Sequence, residues 1–156
     1  MVYHTFILFA AFLAFPNVSS QPWHCKRYLF AEGEMTWDEA RKFCDDNNLK
    51  MAWIRSSWDQ KCVKLDFENH RMHSNKGQRQ YWMGAYTPKD YPSHMAHGTG
   101  FKWLEDRSLN GIYENWAQNE PGKNKNERCA GVDTWRKLSW FDHTCHQKFG
   151  VICMVY

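Results

Sequence analysis

The spacing of apolar positions predicts a first helix shortly after residue 35. Thr36 and Glu39 form a capping-box pattern, in which each side chain accepts a hydrogen bond from the other residue's backbone N–H. The stretch "TWDEARKFC" then repeats apolar residues at the spacing of one helix face. The residues expected on that face are Trp37, Ala40, Phe43 and Cys44.

A second helix is predicted from Ser57 to about His70. Ser57 with Gln60 repeats the capping-box pattern at its start. Its inward side is expected to carry Trp58, Cys62, Val63 and Leu65.

Short apolar runs separated by polar turns predict strands over much of the remaining chain. "CKRYLF" and the alternating "LKMAWI" precede and follow the first helix. The later runs are "YWMGAY", "FKWLED", "CAGVDTW", "KLSWF" and "FGVICMV". Helices placed early and short strands placed late predict an α+β domain with an antiparallel sheet.

The first twenty residues are predicted to be a signal peptide. The apolar run from Phe6 to Phe15 is too short to span a bilayer, and Val18 and Ser20 have the small side chains of a cleavage site. A basic segment is missing, and a buried strand or helix is the alternative. The domain proper is then 21–156, without a second apolar run of spanning length, and the protein is expected to be secreted.

Composition narrows the class of protein further. All six cysteines follow residue 20, and an even number in an exported chain predicts disulfide bonds. The net charge of +3 is weak, and its basic residues are scattered, so a nucleic-acid partner is not expected. Nine tryptophans suit either an aromatic core or a stacking surface for a ligand.

Several motifs together resemble the C-type lectin-like domain. They are "TWDEARKFC", "YWMGA", "FKWLED", "YENW", "NEP", "ERC", "WFDHTC" and "GVIC", in the order of that family. The resemblance implies two helices flanking antiparallel sheets, a long loop region and disulfide staples. It also implies a binding protein rather than an enzyme, and the sequence has no Gly-x-Ser-x-Gly, His-Glu-x-x-His or phosphate-loop motif.

The resemblance implies two disulfide pairs, Cys44–Cys153 and Cys129–Cys145. Cys25 and Cys62 remain. They are expected to pair within the chain, and the alternative is a disulfide-linked dimer.

The same resemblance identifies a calcium loop that has lost ligands. Members that bind sugar through calcium supply oxygens from a Glu-Pro-Asn or Gln-Pro-Asp triplet, a Glu before the next cysteine, and an Asn-Asp pair after a tryptophan. Glu120, Glu127 and Asp142 keep three of these positions, whereas Gly122 and Phe141 replace two amide or carboxylate ligands. Calcium prefers about six to eight oxygens, so its binding is expected to be weak or lost.

The candidate ligand-binding residues are therefore Glu120, Glu127, Asp142, Phe141 and Trp140. The carboxylates alternatively remain as solvated loop residues, while an aromatic ring at position 141 is able to stack on a sugar without metal. The long segment 89–100 is either tolerated surface or a recognition element.

Two functions follow from these patterns. The first is a secreted lectin that recognises a carbohydrate or a cell surface, with a role in innate defence. The alternative is a calcium-independent module that binds an extracellular protein or the extracellular matrix, with no sugar site.

Overall fold

The computed structural model describes residues 25–73, 77–91, 100–105, 109 and 113–155. The signal peptide expected at 1–20 lies outside these residues, as do positions 92–99 of the long segment.

The first helix, α1, runs over Trp37–Asp46 and is capped as expected. The N–H of Thr36 donates to Oε2 of Glu39 over 2.8 Å, and the N–H of Glu39 donates to Oγ1 of Thr36. Trp37, Ala40 and Cys44 are buried, but Phe43 lies at the margin of that face and is 39% exposed.

The second helix, α2, runs over Ser57–His73, so it begins where predicted and ends three residues later. Ser56 caps it in place of Ser57, because Oγ of Ser56 accepts the N–H of Asp59 over 3.0 Å. Cys62 and Val63 are buried as expected. Leu65 is 61% exposed and Trp58 is also exposed, so their predicted inward positions are wrong. The buried side of α2 is therefore narrower than the spacing of its apolar residues predicts.

The strands form one sheet with β3 at its centre. They are β1 (Tyr28–Met35), β2 (Lys50–Met51), β3 (Gln80–Tyr86), β4 (Lys102–Trp103), β5 (Glu127–Asp133), β6 (Ser139–Thr144) and β7 (Phe149–Met154). The order is β1-β7-β3-β5-β6, with β2 on β7 and β4 on β3. The predicted α+β class is confirmed. The sheet itself is mixed, because β3 and β7 pair in parallel at Tyr81 and Gly150.

Each face of the sheet is covered by its own cluster of buried side chains. Trp103, Trp140 and Ile152 belong to one cluster, and Trp82 and Phe141 belong to the other. A domain of this size therefore builds its core largely from aromatic rings, which bury much area each.

Three disulfide bonds hold the described chain together. They join Cys44 to Cys153, Cys129 to Cys145 and Cys25 to Cys62. Every cysteine of the sequence is thereby paired within the chain. The structure therefore does not support a disulfide-linked dimer.

Neither helix in the described part of the chain combines the length and the apolar character needed to cross a bilayer.

Candidate functional site

Three carboxylates meet around Gly122 in the long-loop region. Glu120 precedes Pro121 through a cis peptide bond, Glu127 begins β5, and Asp142 lies on β6. A Cβ atom placed on Gly122 would lie 3.3 Å from Oε2 of Glu127 and 3.8 Å from both Asp142 Oδ1 and Glu120 Oε2. The fold therefore brings together the three carboxylates that the sequence singles out. We call Glu120, Glu127 and Asp142 the carboxylate cluster.

Hydrogen bonds from the protein already occupy part of this cluster. The N–H of Gly122 donates to Oδ1 of Asp142 over 2.8 Å. Asp142 is only 3% exposed. One oxygen of the cluster is thus already engaged by the backbone of the loop itself.

The environment raises the pKa of Glu120 to about 7. Burial is the largest cause, followed by the hydrogen bond to Asp142, the negative charge of Asp142 and that of Glu127. Arg136 opposes this shift, with its Nη1 3.6 Å from Oε1 of Glu120. Near neutral pH, Glu120 is therefore protonated more readily than an ordinary glutamate.

Glu127 is about as exposed as Glu120, with 23% against 22% of the side chain accessible. Its Oε1 is 3.9 Å from Nδ1 of His143.

The residues present do not fit the calcium ion that the resemblance implies. Calcium takes six to eight oxygen ligands, and carboxylates serve best when ionised. Here Gly122 supplies no side-chain oxygen, its backbone N–H engages Oδ1 of Asp142, and Phe141 places a carbon ring where a further ligand would stand. Among the described residues, no group of three or more His, Cys, Asp and Glu side chains is placed to hold a metal ion.

Trp140 and Phe141 belong to the core and offer no surface to a ligand. Trp140 is 0% exposed and packs edge-on against Trp103, Tyr113 and Trp116 at 5.6–5.9 Å between ring centroids. Phe141 is 3% exposed and lies 5.6 Å from Phe149. Successive residues of a strand point to opposite faces, and both faces of this sheet are covered. The burial of Phe141 contradicts the alternative in which its ring stacks on a sugar, and Trp140 is a core residue.

Trp135 is the exposed aromatic residue that the sequence did not distinguish. It lies in a short 3₁₀ helix, Thr134–Arg136, and is 75% exposed. The backbone N–H of Trp135 donates to Oδ1 of buried Asp133 over 2.9 Å. The guanidinium carbon of Arg79 lies 4.7 Å from the centre of the indole ring. The sequence signal for this turn is Asp133, which caps it two positions before the tryptophan. The predicted strand "CAGVDTW" runs through both residues and so does not reveal the turn.

A model of the lectin C-type domain matches residues 33–155 of the chain. L-selectin of Rattus norvegicus is 27% identical over 135 residues, which cover 83% of this chain and 32% of L-selectin. The chain therefore spans about a third of the length of this curated relative.

Two solved structures share the fold. The mouse scavenger receptor C-type lectin carbohydrate-recognition domain superposes with a TM-score of 0.63 at 23% identity, covering 85% of this chain and 91% of that domain. A calcium-independent type II antifreeze protein superposes with a TM-score of 0.62 at 18% identity, covering 85% and 87%.

Proposed function

This chain belongs to the lectin C-type domain family, and on that premise we propose that it is a secreted recognition domain that binds its ligand without calcium. The ligand is a glycan or an extracellular protein at a cell surface or in the matrix. No catalytic step is part of this proposal, because the family serves mainly as a binding scaffold.

The observation that carries the proposal is the hydrogen bond from the backbone N–H of Gly122 to Oδ1 of Asp142. A backbone donor stands at the position where the sugar-binding members that the chain resembles supply a side-chain oxygen. This donor already engages one oxygen of the carboxylate cluster, and position 122 offers no side chain to complete the set of six to eight oxygens that calcium prefers.

Known proteins of this fold support the two halves of the proposal separately. One neighbour is described as a carbohydrate-recognition domain, and another is described as calcium-independent. Three disulfide bonds also suit an oxidising, extracellular environment. A role in innate defence is a narrower form of the same proposal.

A second function has one observation in its favour. The three carboxylates still surround the Gly122 position, as a remnant of a calcium-dependent sugar site would. Calcium-assisted binding of a sugar is therefore the alternative that the experiment must separate.

The test uses the oxidised, labelled chain on arrays of immobilised glycans and extracellular proteins. Binding that is equal in millimolar calcium and in EDTA, and that free mannose or galactose does not displace, is the expected result. Binding abolished by EDTA and by a simple sugar would instead establish the calcium-dependent alternative. Failure to bind any glycan or protein on the arrays would contradict a recognition function.

A further inference from the structure

A cleft beside the start of α1 is separate from the carboxylate cluster. It consists of two adjoining cavities of about 470 and 590 Å³. They share Asp38, Lys89, Arg128 and Cys145, so they form one continuous depression, which we call the α1 cleft. Each part has the size of a typical small-ligand site, about 300–1,000 Å³.

The lining of the α1 cleft is strongly positive. Arg41, Lys89 and Arg128 line it, and Asp38 is the one carboxylate among the described residues that do so. The nearest acidic partner of Arg41 is Asp45, at 3.9 Å on an exposed helix surface, where such a pair compensates little charge. The basic residues are scattered along the sequence, but the fold brings these three together in the α1 cleft.

Arg128 is held in place by backbone carbonyl oxygens. Its Nε and Nη2 donate to the carbonyl oxygen of Thr87 over 3.1 and 3.0 Å, and its Nη1 donates to the carbonyl oxygen of Lys89 over 3.4 Å. Among the described residues, neither Arg128 nor Lys89 has a carboxylate within ion-pair distance. The backbone thus orients a guanidinium group that no carboxylate of the described residues pairs with, which favours an anionic ligand.

An aromatic wall lies next to these cations. Tyr86 is partly exposed and packs 5.4 Å from the ring of Trp37, and both line the cleft. The ammonium group of Lys102 is 5.7 Å from the ring centre of Tyr86 and adds positive charge to this wall. An aromatic ring beside hydrogen-bond donors suits a sugar ring, which has apolar faces and polar edges.

We propose that the α1 cleft binds an anionic polysaccharide, with Arg128 and Lys89 contacting its sulfate or carboxylate groups and Tyr86 contacting a sugar ring. This inference rests on the proposed recognition function, for which it names a ligand class and a surface. A polysaccharide fits better than a membrane, because the charge lies inside a concave cleft that a flat headgroup surface does not enter. An extracellular chain also meets such polymers more often than it meets nucleic acid.

The test measures binding of three defined oligosaccharides by titration calorimetry at physiological salt. The probes are a heparin-derived hexasaccharide, the same hexasaccharide after desulfation, and a hyaluronan hexasaccharide that carries carboxylates alone. We expect the sulfated probe to bind, with an affinity that falls as salt rises because the contacts are electrostatic. The other two probes distinguish recognition of sulfate from recognition of carboxylate. If none of the three binds, the proposal is overturned.

Two substitutions locate the site. Lys89→Gln and Arg128→Gln are each expected to weaken binding of the sulfated probe by at least about fivefold, since each removes a charge-assisted contact. Lys64→Gln is the matched control, because it removes the same charge from the exposed surface of α2. It is expected to change the affinity by less than about twofold.

Three further results would overturn the proposal. An equal loss in Lys64→Gln and Lys89→Gln would show a diffuse charge effect rather than a cleft. Retained affinity in Lys89→Gln would contradict the assignment even if Arg128→Gln fails to fold. Equally tight binding of a short single-stranded DNA of the same charge would contradict the polysaccharide class. Binding of a neutral glycan or a protein, but of none of the anionic probes, would overturn this inference and leave the proposed recognition function supported.

Discussion

The backbone N–H of Gly122 lies 2.8 Å from Oδ1 of Asp142 and donates a hydrogen bond to it. Both residues occupy positions that supply calcium ligands in the sugar-binding members that the chain resembles. In this chain, the first position contributes a backbone donor instead of an oxygen. The contact therefore fixes the loop onto β6 by the protein's own groups.

Restoring an oxygen at position 122 is expected to create a calcium response. Gly122→Asn meets only the movable carboxylate of Glu127 at 3.3 Å, so the variant should fold. With a calcium Kd near 1 mM, 10 mM calcium would stabilise it by about 1.4 kcal/mol and raise its Tm by about 2–5 °C relative to EDTA.

The original chain and Gly122→Leu are the controls, because neither has the added oxygen. Both are expected to melt at the same temperature in calcium and in EDTA. A calcium-dependent rise in the original chain would show that the cluster still holds the ion.

Stability should depend on pH through Glu120. Its folded pKa of about 7 lies above the ordinary value of 4.5, so the folded state binds this proton more tightly than the unfolded state does. The resulting stabilisation is complete below about pH 4.5, declines as the pH rises, and is lost above about pH 7. Glu120→Gln keeps a neutral side chain at every pH. Its free energy of unfolding, relative to that of the original chain, should therefore increase as the pH rises from about 4.5 to about 7.

Urea unfolding of the two proteins from pH 4 to pH 8 measures that difference. Glu114→Gln, at an exposed position outside the cluster, is the control and should show no such trend. A constant difference between Glu120→Gln and the original chain would contradict the raised pKa.

Removing the Cys25–Cys62 bond is expected to cost stability. The bond spans 37 residues, for which the chain-entropy model gives about 3–4 kcal/mol. The paired substitution Cys25→Ala with Cys62→Ala therefore should lower the free energy of unfolding by that amount and leave a monomer. Peptide mapping of the original chain under non-reducing conditions should recover all three pairs, and a 25-to-25 or 62-to-62 linkage between chains would refute the intramolecular assignment.

Two tryptophans five positions apart should respond in opposite ways to truncation. Trp140→Ala empties a site that is 0% exposed and should cost about 3–5 kcal/mol. Trp135→Ala removes a ring that is 75% exposed and should cost less than about 1 kcal/mol. Chemical denaturation of both variants checks this, and equal losses would contradict the assignment of Trp135 to the surface.

The sequence predicted the elements more reliably than the surfaces. Thr36 and Glu39 fix the start of α1 because a capping box is a local interaction. Two of the three cysteine pairs follow from the family pattern, and Cys25–Cys62 is the pair that remains. The exposure of Trp135 and the burial of Phe141 depend on which sheet face each side chain meets, and on what covers that face. Sequence periodicity does not contain that information. The gathering of Arg41, Lys89 and Arg128 depends on strand pairing across the whole chain, and so was also beyond a local pattern.

The disulfide bonds also determine how the domain would respond to mechanical force. Tension applied at Cys25 and Cys153 passes through the bond to Cys62 and the bond to Cys44, so the covalent path contains only the backbone from 44 to 62. That path extends to about 60 Å at roughly 3.5 Å per residue, whereas the reduced chain between the same two points would extend to about 440 Å. While its bonds stay oxidised, the domain therefore acts as a short, nearly inextensible link.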